Sequence, residues 1–200
     1  MPPLAPDGFQ LVPPGKVAAI VTSLEMTAMP PAGSERQAPP GVRLELMQSP
    51  AVAWYRALFR KVGENWLWFS RLRLDEATLA RVIDDAAVEV YVLKAGEDEA
   101  GILELDFREA GTCEIAFLGL APGFEGRGLG GYLMSQAINR AWSRPISRLW
   151  VHTCTLDHPS ALPFYIRSGF RAYEQQVEIA DDPRARGELP ADAAPQIPQL

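Results

Sequence analysis

The succession of apolar runs in this chain predicts an α/β (α+β) fold, a sheet with helices packed on its faces. Three observations predict it. Short runs rich in β-branched and apolar residues alternate with stretches of helical period, in the order β-α-α-β-β-β-α-β-α-β. Hydrophobic residues make up 48% and charged residues 22% of the chain, the balance of a globular protein with a real core. A length of 200 residues fits one domain. That domain is expected over residues 16–180, between an irregular Pro-rich segment at 1–15 and a polar tail at 181–200 that holds four prolines.

The elements follow from local chemistry. Lys16 to Met26 is rich in Val, Ile and Ala and reads as a strand. Residues 29–41 carry four prolines and two glycines and read as a loop. Ser49-Pro50 opens a helix to about Val62, with the proline where its missing N–H does no harm. Trp66-Leu67-Trp68-Phe69 comes next, then a second helix from about Asp75 to Asp85. Val88–Lys94, Gly101–Phe107 and Cys113–Leu120 are strands joined by turns at Ala95–Ala100 and Glu109–Gly111, a meander. A glycine-opened helix then places Leu129, Leu133, Met134, Ala137, Ile138, Ala141 and Trp142 on one face, and Pro145 ends it. Arg148–Thr155 is a strand, Ser160–Ser168 a short helix closed by Gly169, and Phe170–Ile179 a last strand.

Charge and composition narrow the partners. The formal net charge is −6 and no basic patch stands out, which argues against a nucleic-acid partner. Cys113 and Cys154 form neither CxxC nor a Cys/His ligand set, so no metal site is expected and both read as buried apolar residues. No run approaches the roughly 18 apolar residues of a membrane span, and the N-terminus lacks the pattern of a signal peptide. A cytoplasmic protein with no membrane partner is the expectation.

Residues 124–134, Phe-Glu-Gly-Arg-Gly-Leu-Gly-Gly-Tyr-Leu-Met, carry the most information. Four glycines at a helix start cost helix stability, which makes sense where something must approach the backbone closely. A helix N-terminus offers free N–H groups and partial positive charge, so the expected visitor is a phosphate. A P-loop is excluded because no Gly-Lys-Ser/Thr follows. A G-x-G-x-x-G does match at Gly126, Gly128 and Gly131, with Asp157 near where a ribose-binding acid would be sought. Against a dinucleotide, Ala121 to Glu125 intervene after the strand, and the glycines follow a meander rather than opening a β-α-β unit.

Glu125-Gly126-Arg127-Gly128-Leu129-Gly130 resembles the R/Q-x-x-G-x-G/A motif of the GNAT acetyltransferase superfamily. The downstream segment His158-Pro159-Ser160-Ala161-Leu162-Pro163-Phe164-Tyr165-Ile166-Arg167-Ser168-Gly169-Phe170 is similar to that family's second pattern, N-x-x-A-x-x-hydrophobic-Tyr-x-x-x-Gly-Phe. The joint match spans residues 113–170. It implies a mixed, mostly antiparallel sheet of six to seven strands, splayed at a cofactor cleft, with helices on both faces. It also implies acetyl-CoA as acyl donor, held by Leu118, Gly119, Leu120, Gly126, Arg127, Gly128, Leu129, Gly130, Gly131, His158 and Tyr165. Two positions depart from the pattern: Glu125 stands where Arg or Gln is usual, and His158 where Asn is common.

The resemblance further implies direct acetyl transfer to an amine of a small molecule or peptide. An alkylammonium must lose a proton before it attacks, so a base is useful. Glu114 is the first candidate, on a strand beside the cleft, with His152 and Glu104 behind it. Strand alternation puts Glu114 on the face of Ala116 and Leu118, opposite Cys113, Ile115 and Phe117. Tyr165 is the candidate acid for the leaving thiolate. Trp66, Trp68, Phe69 and Arg71 are candidates to line the acceptor pocket, and Glu25 to meet a cationic amine. Two other readings stay open: a non-catalytic acyl-CoA sensor, and transfer of a longer acyl group. The acceptor is not readable, and the last strand and tail leave homodimerisation open.

Overall fold

The computed structural model describes residues 7–31 and 36–200; the parts of the expected N-terminal segment at 1–6 and of the loop at 32–35 lie outside the described residues. One seven-stranded sheet has the order β2-β3-β4-β5-β6-β1-β7. Its strands are β1 Lys16–Met26, β2 Val42–Leu46, β3 Val88–Ala95, β4 Asp98–Asp106, β5 Thr112–Leu120, β6 Arg148–Cys154 and β7 Arg171–Asp181. The helices are α1 Val52–Gly63, α2 Glu76–Ile83, α3 Leu129–Trp142 and α4 Ala161–Arg167, with a 3-10 turn at Glu64–Trp66. The sequence reading does not include β2, although Val-Arg-Leu-Glu-Leu alternates as a half-buried edge strand does.

Local chemistry accounts for the helices. Asp75 caps α2 by accepting from the Thr78 N–H at 2.8 Å. The apolar stripe of α3 packs on the sheet: Leu129, Leu133, Met134, Ala137, Ile138 and Ala141 are buried, and Trp142 is partly so. One core lies between α3 and the strands, and a second lies on the opposite face, where Tyr55, Leu58 and Phe59 of α1 and Leu79 and Ile83 of α2 meet Val90, Val92 and Ile102. Burying each such side chain contributes roughly 1.5–3 kcal/mol.

Two irregularities of the sheet shape the site. All neighbouring strands are antiparallel except β5 and β6, which are parallel and pair only at Thr112–Arg148, Cys113–Leu149 and Glu114–Trp150. Beyond Glu114 they separate and open a cleft. Opposite, Glu104 pairs with Phe117 while Leu105 pairs with Ile115, so Ala116 is an extra residue, a β-bulge. This bulge corrects the simple alternation. Leu118 and Leu120 join Cys113 and Ile115 on the α3 side, whereas Phe117 packs with the α1 core. Glu114 therefore does not share a face with Leu118.

The chain after Asp181 has turns but no helix or strand, and it is nevertheless tied down. Arg184 is buried, ion-paired to Asp182 at 2.8 Å, and donates to the carbonyls of Ala193 at 3.2 Å and Ile197 at 2.9 Å. Leu189, Ala193 and Ala194 close over Val17 and Leu67 in a third small core.

Candidate acyl-CoA and acceptor site

The splay of β5 from β6 creates a cavity of about 660 Å³. Its main walls come from the bulged end of β5, the far end of β6, the glycine turn into α3, the segment after α1, and α4 with the loop that precedes it. Leu118, Gly119, Leu120, Gly126, Gly128, Gly130, Gly131, His158, Tyr165, Trp66 and Trp68 all line it, so the structure brings most of the expected residues together.

The glycine turn is built for access. Gly126 and Gly128 adopt φ of +73° and +79°, the left-handed region that disfavours side chains, and a Cβ at either would meet nothing within 4 Å. The first backbone bond of α3 is from the Tyr132 N–H to the Gly128 carbonyl, which leaves the N–H groups of Leu129, Gly130 and Gly131 for an outside acceptor. Leu129 belongs here by its backbone alone, because its side chain is in the core. Open backbone, free N–H groups and a cavity of this size fit a pyrophosphate with a long arm.

The opposite wall is held by a tryptophan. Trp68 donates its indole N–H to Asp157 at 3.1 Å, and Asp157 also accepts from the Thr153 hydroxyl at 2.7 Å and the Cys154 N–H at 2.9 Å. The acid sought above as a ribose ligand thus has its oxygens occupied by protein. The Trp68 ring lies so close to β5 that a Cβ on Gly119 would come within 3.0 Å of it and 2.5 Å of Val62.

Titratable groups concentrate on β6. His152 is half-exposed on the cleft wall, and its Nδ1 lies 3.2 Å from Glu114 Oε1. The hydrogen bond to Glu114 raises its pKa above the ordinary value, with burial opposing in part. Tyr165 is buried at 7% exposure, and burial, then the charge of Asp157, pushes its phenol up. The cleft also holds Cys154, whose thiol burial pushes up to about 11, so about one in ten thousand is thiolate at neutral pH.

Four expected residues stand elsewhere than their assigned roles require. Glu25 does not face a free acceptor: its oxygens take hydrogen bonds from Arg148 and Arg171, both at 2.9 Å. Arg71 is bound to Glu104, a fully buried carboxylate that also accepts from Tyr55. Burial works against the Arg71 charge, but Glu104 outweighs it and holds the guanidinium above its ordinary pKa. The same bonds remove Glu104 from the list of bases. Glu114 sits behind His152 rather than on the cleft wall. Arg127 is exposed within the glycine turn, with its Cζ 5.4 Å from the centroid of the Phe124 ring. Glu125 lines the cleft, but its carboxylate accepts from the Gly123 N–H at 2.8 Å.

A second cavity of about 530 Å³ adjoins the first, and the two share Val21, His152 and Glu178. Trp150, Tyr173 and Glu174 complete its main walls. None of these was singled out from the sequence, because the pairing of β1 with β6 and β7 that assembles them is non-local.

The model of the "Acetyltransferase (GNAT) family" matches residues 46–170. Among solved structures, a GCN5-related N-acetyltransferase from Kribbella flavida superposes with a TM-score of 0.54 at 15% identity, covering 84% of this chain and 60% of that one. A conserved protein of unknown function from Staphylococcus epidermidis gives 0.57 at 16%, covering 84% and 63%. This chain thus spans less than two thirds of the length of those two. A GNAT family acetyltransferase from Elizabethkingia anophelis with acetyl-CoA bound gives 0.50 at 19%, covering 68% and 80%. A search of curated proteins finds no match.

Proposed function

The chain belongs to the GNAT acetyltransferase family, and on that premise we propose that it transfers an acetyl group from acetyl-CoA directly to a primary amine seated beside His152. The observation that carries this reading is the position of His152. It lies on the wall common to both cavities, where a donor held by the glycine turn would meet an acceptor lying over β1, β6 and β7.

Bound acetyl-CoA would supply the activated thioester. The N–H groups of Leu129, Gly130 and Gly131 would hold its pyrophosphate, and the β5 backbone from Leu118 to Leu120 its pantetheine arm. His152 Nε2 takes the proton from the incoming ammonium, while Glu114 holds Nδ1 and steadies the cation that forms. Tyr165 keeps its proton at neutral pH and holds it at Oη for the departing sulfur. Cys154, held as a thiol, is a poor nucleophile, which favours direct transfer over an acyl-enzyme. Glu174 and Glu178 beside the second cavity favour an acceptor with positive charge.

Thiol release from acetyl-CoA across a panel of mono- and polyamines tests the reading, together with calorimetric binding of CoA. Turnover on at least one cationic amine is expected. Binding without turnover on any amine would instead support a non-catalytic sensor, in which the His152–Glu114 pair has no task.

A further inference from the structure

Beyond Glu114 the pairing of β5 with β6 stops, and a side chain spans the gap between them. Trp68 lies across it. At one end the residue rests on Gly63, where an added Cβ would come within 2.4 Å of its Cβ and 2.6 Å of its Cδ2. At the other end its Cη2 rests on Gly119 of β5, where an added Cβ would come within 3.0 Å. Its indole N–H donates to Asp157, just past the end of β6, at 3.1 Å. The ring thus reaches from α1 over β5 to the chain that leaves β6.

Neither end is free to give way. The Phe59 and Phe117 rings pack against Trp68 at centroid distances of 5.4 and 5.2 Å. Phe59 is fully buried, so the close-packed α1 core has no room into which the indole can retreat. Asp157 Oδ2 accepts from the Thr153 hydroxyl and the Cys154 N–H, so turning the carboxylate away from Trp68 breaks further bonds. Leu67, just before Trp68, has φ of +52°, a conformation that a residue with a side chain keeps only where its surroundings impose it. Leu189, Ala193 and Ala194, packed with Leu67, supply that constraint.

Orientation gives this fixed ring a task. Val151 packs in the α3 core, so its neighbour His152 faces the other side of the sheet. Trp68 packs with the α1 core on that same side, and both residues line the cleft. Trp68 therefore bounds the space in which His152 can meet an acyl carbon. A rigid apolar wall discriminates by length: one methylene is worth about 10–200-fold, and overpacking such a wall strains it.

We infer that Trp68, locked by Asp157, is the residue that limits the donor's acyl group to a short chain. This inference rests on the acetyl-CoA reading of the cleft and adds selection of acyl length to it.

Calorimetric titration of the full chain with acetyl-CoA and with octanoyl-CoA tests it without relying on turnover. The wild type is expected to bind octanoyl-CoA at least about tenfold more weakly than acetyl-CoA. Trp68→Leu is expected to bring the two affinities within about threefold of each other. Asp157→Asn, which keeps the ring and alters only its anchor, is expected to narrow the difference in the same direction, and it carries the test where Trp68→Leu does not fold. A purely structural role weakens both donors alike and leaves their ratio as in the wild type. That result overturns the inference, as does a wild type that binds octanoyl-CoA as tightly as acetyl-CoA. A wild-type protein that binds neither donor overturns the acetyl-CoA reading beneath it.

Discussion

Glu114 Oε1 lies 3.2 Å from His152 Nδ1, on the two strands that part company one residue later to form the cleft. The contact couples the sheet's last parallel pairing to the imidazole proposed above to deprotonate the amine. It also gives the two residues different positions, with the histidine at the cavity and the carboxylate behind it.

A pH dependence follows. Glu114 raises the pKa of His152 above its ordinary value of about 6.5, and a base works only when unprotonated. The rising limb of kcat/KM against pH is therefore expected above 6.5 in the wild type and nearer 6.5 in Glu114→Gln. His152→Ala should lose about 10²–10⁴-fold in kcat. Stability runs the other way. A raised native pKa stabilises fully below the unfolded value near 6.5, and that contribution disappears as pH rises through the native value. Profiles of the two proteins that superimpose would remove Glu114 from this role.

Tyr165→Phe should lower kcat by about a hundredfold while the Kd for CoA stays within about twofold, since only the hydroxyl is lost. Single-turnover kinetics beside calorimetry checks this. A loss of binding with kcat intact would make Tyr165 a wall of the cleft and not a proton source.

Gly119→Ala pushes a methyl to 2.5 Å from Val62 Cγ1 and 3.0 Å from the Trp68 ring. Overpacking of this kind costs about 1–3 kcal/mol. Urea denaturation should show that loss, and Trp68 fluorescence should shift as the ring leaves Asp157. A variant as stable as the wild type would show that α1 yields more easily than its packing indicates.

Arg184→Ala strips the cation from buried Asp182 and the shared donor from the carbonyls of Ala193 and Ile197. Leaving one partner of a buried pair costs about 3–5 kcal/mol. Limited proteolysis should then cut after Asp182, and the uncovered Leu67 should loosen the segment that carries Trp68. Resistance to cleavage would show that the apolar contacts hold the tail without the arginine.

What could be read from the residues alone divides by distance along the chain. The stripe on α3, the Asp75 cap and the glycine turn depend on neighbours a few residues away, and each is visible as periodicity or spacing. Residues at the cleft resisted where distant segments decide. The extra residue at Ala116 reverses which side chains face α3, and nothing in Ile115-Ala116-Phe117 announces a bulge. Glu25 looked available for an amine because Arg148 and Arg171, which hold it, lie 123 and 146 positions downstream. Proline content in the tail pointed away from order, yet Asp182 and Arg184 pin it through contacts that composition cannot show.

The location of β1 between β6 and β7 has a consequence for how the molecule comes into being. On the ribosome β1 emerges well before both of the strands that flank it, with the whole meander and α3 made in between. Until then its N–H and C=O groups have no native partner, and Ile20 has an apolar side chain without a sheet to rest on. The meander of β3, β4 and β5 can form from neighbouring sequence while β1 waits, so the long-range pairings close last and set the pace. The wall that carries His152 is thus completed only after the meander and the glycine turn. A chain stalled shortly before β6 would hold a finished glycine turn with nothing facing it.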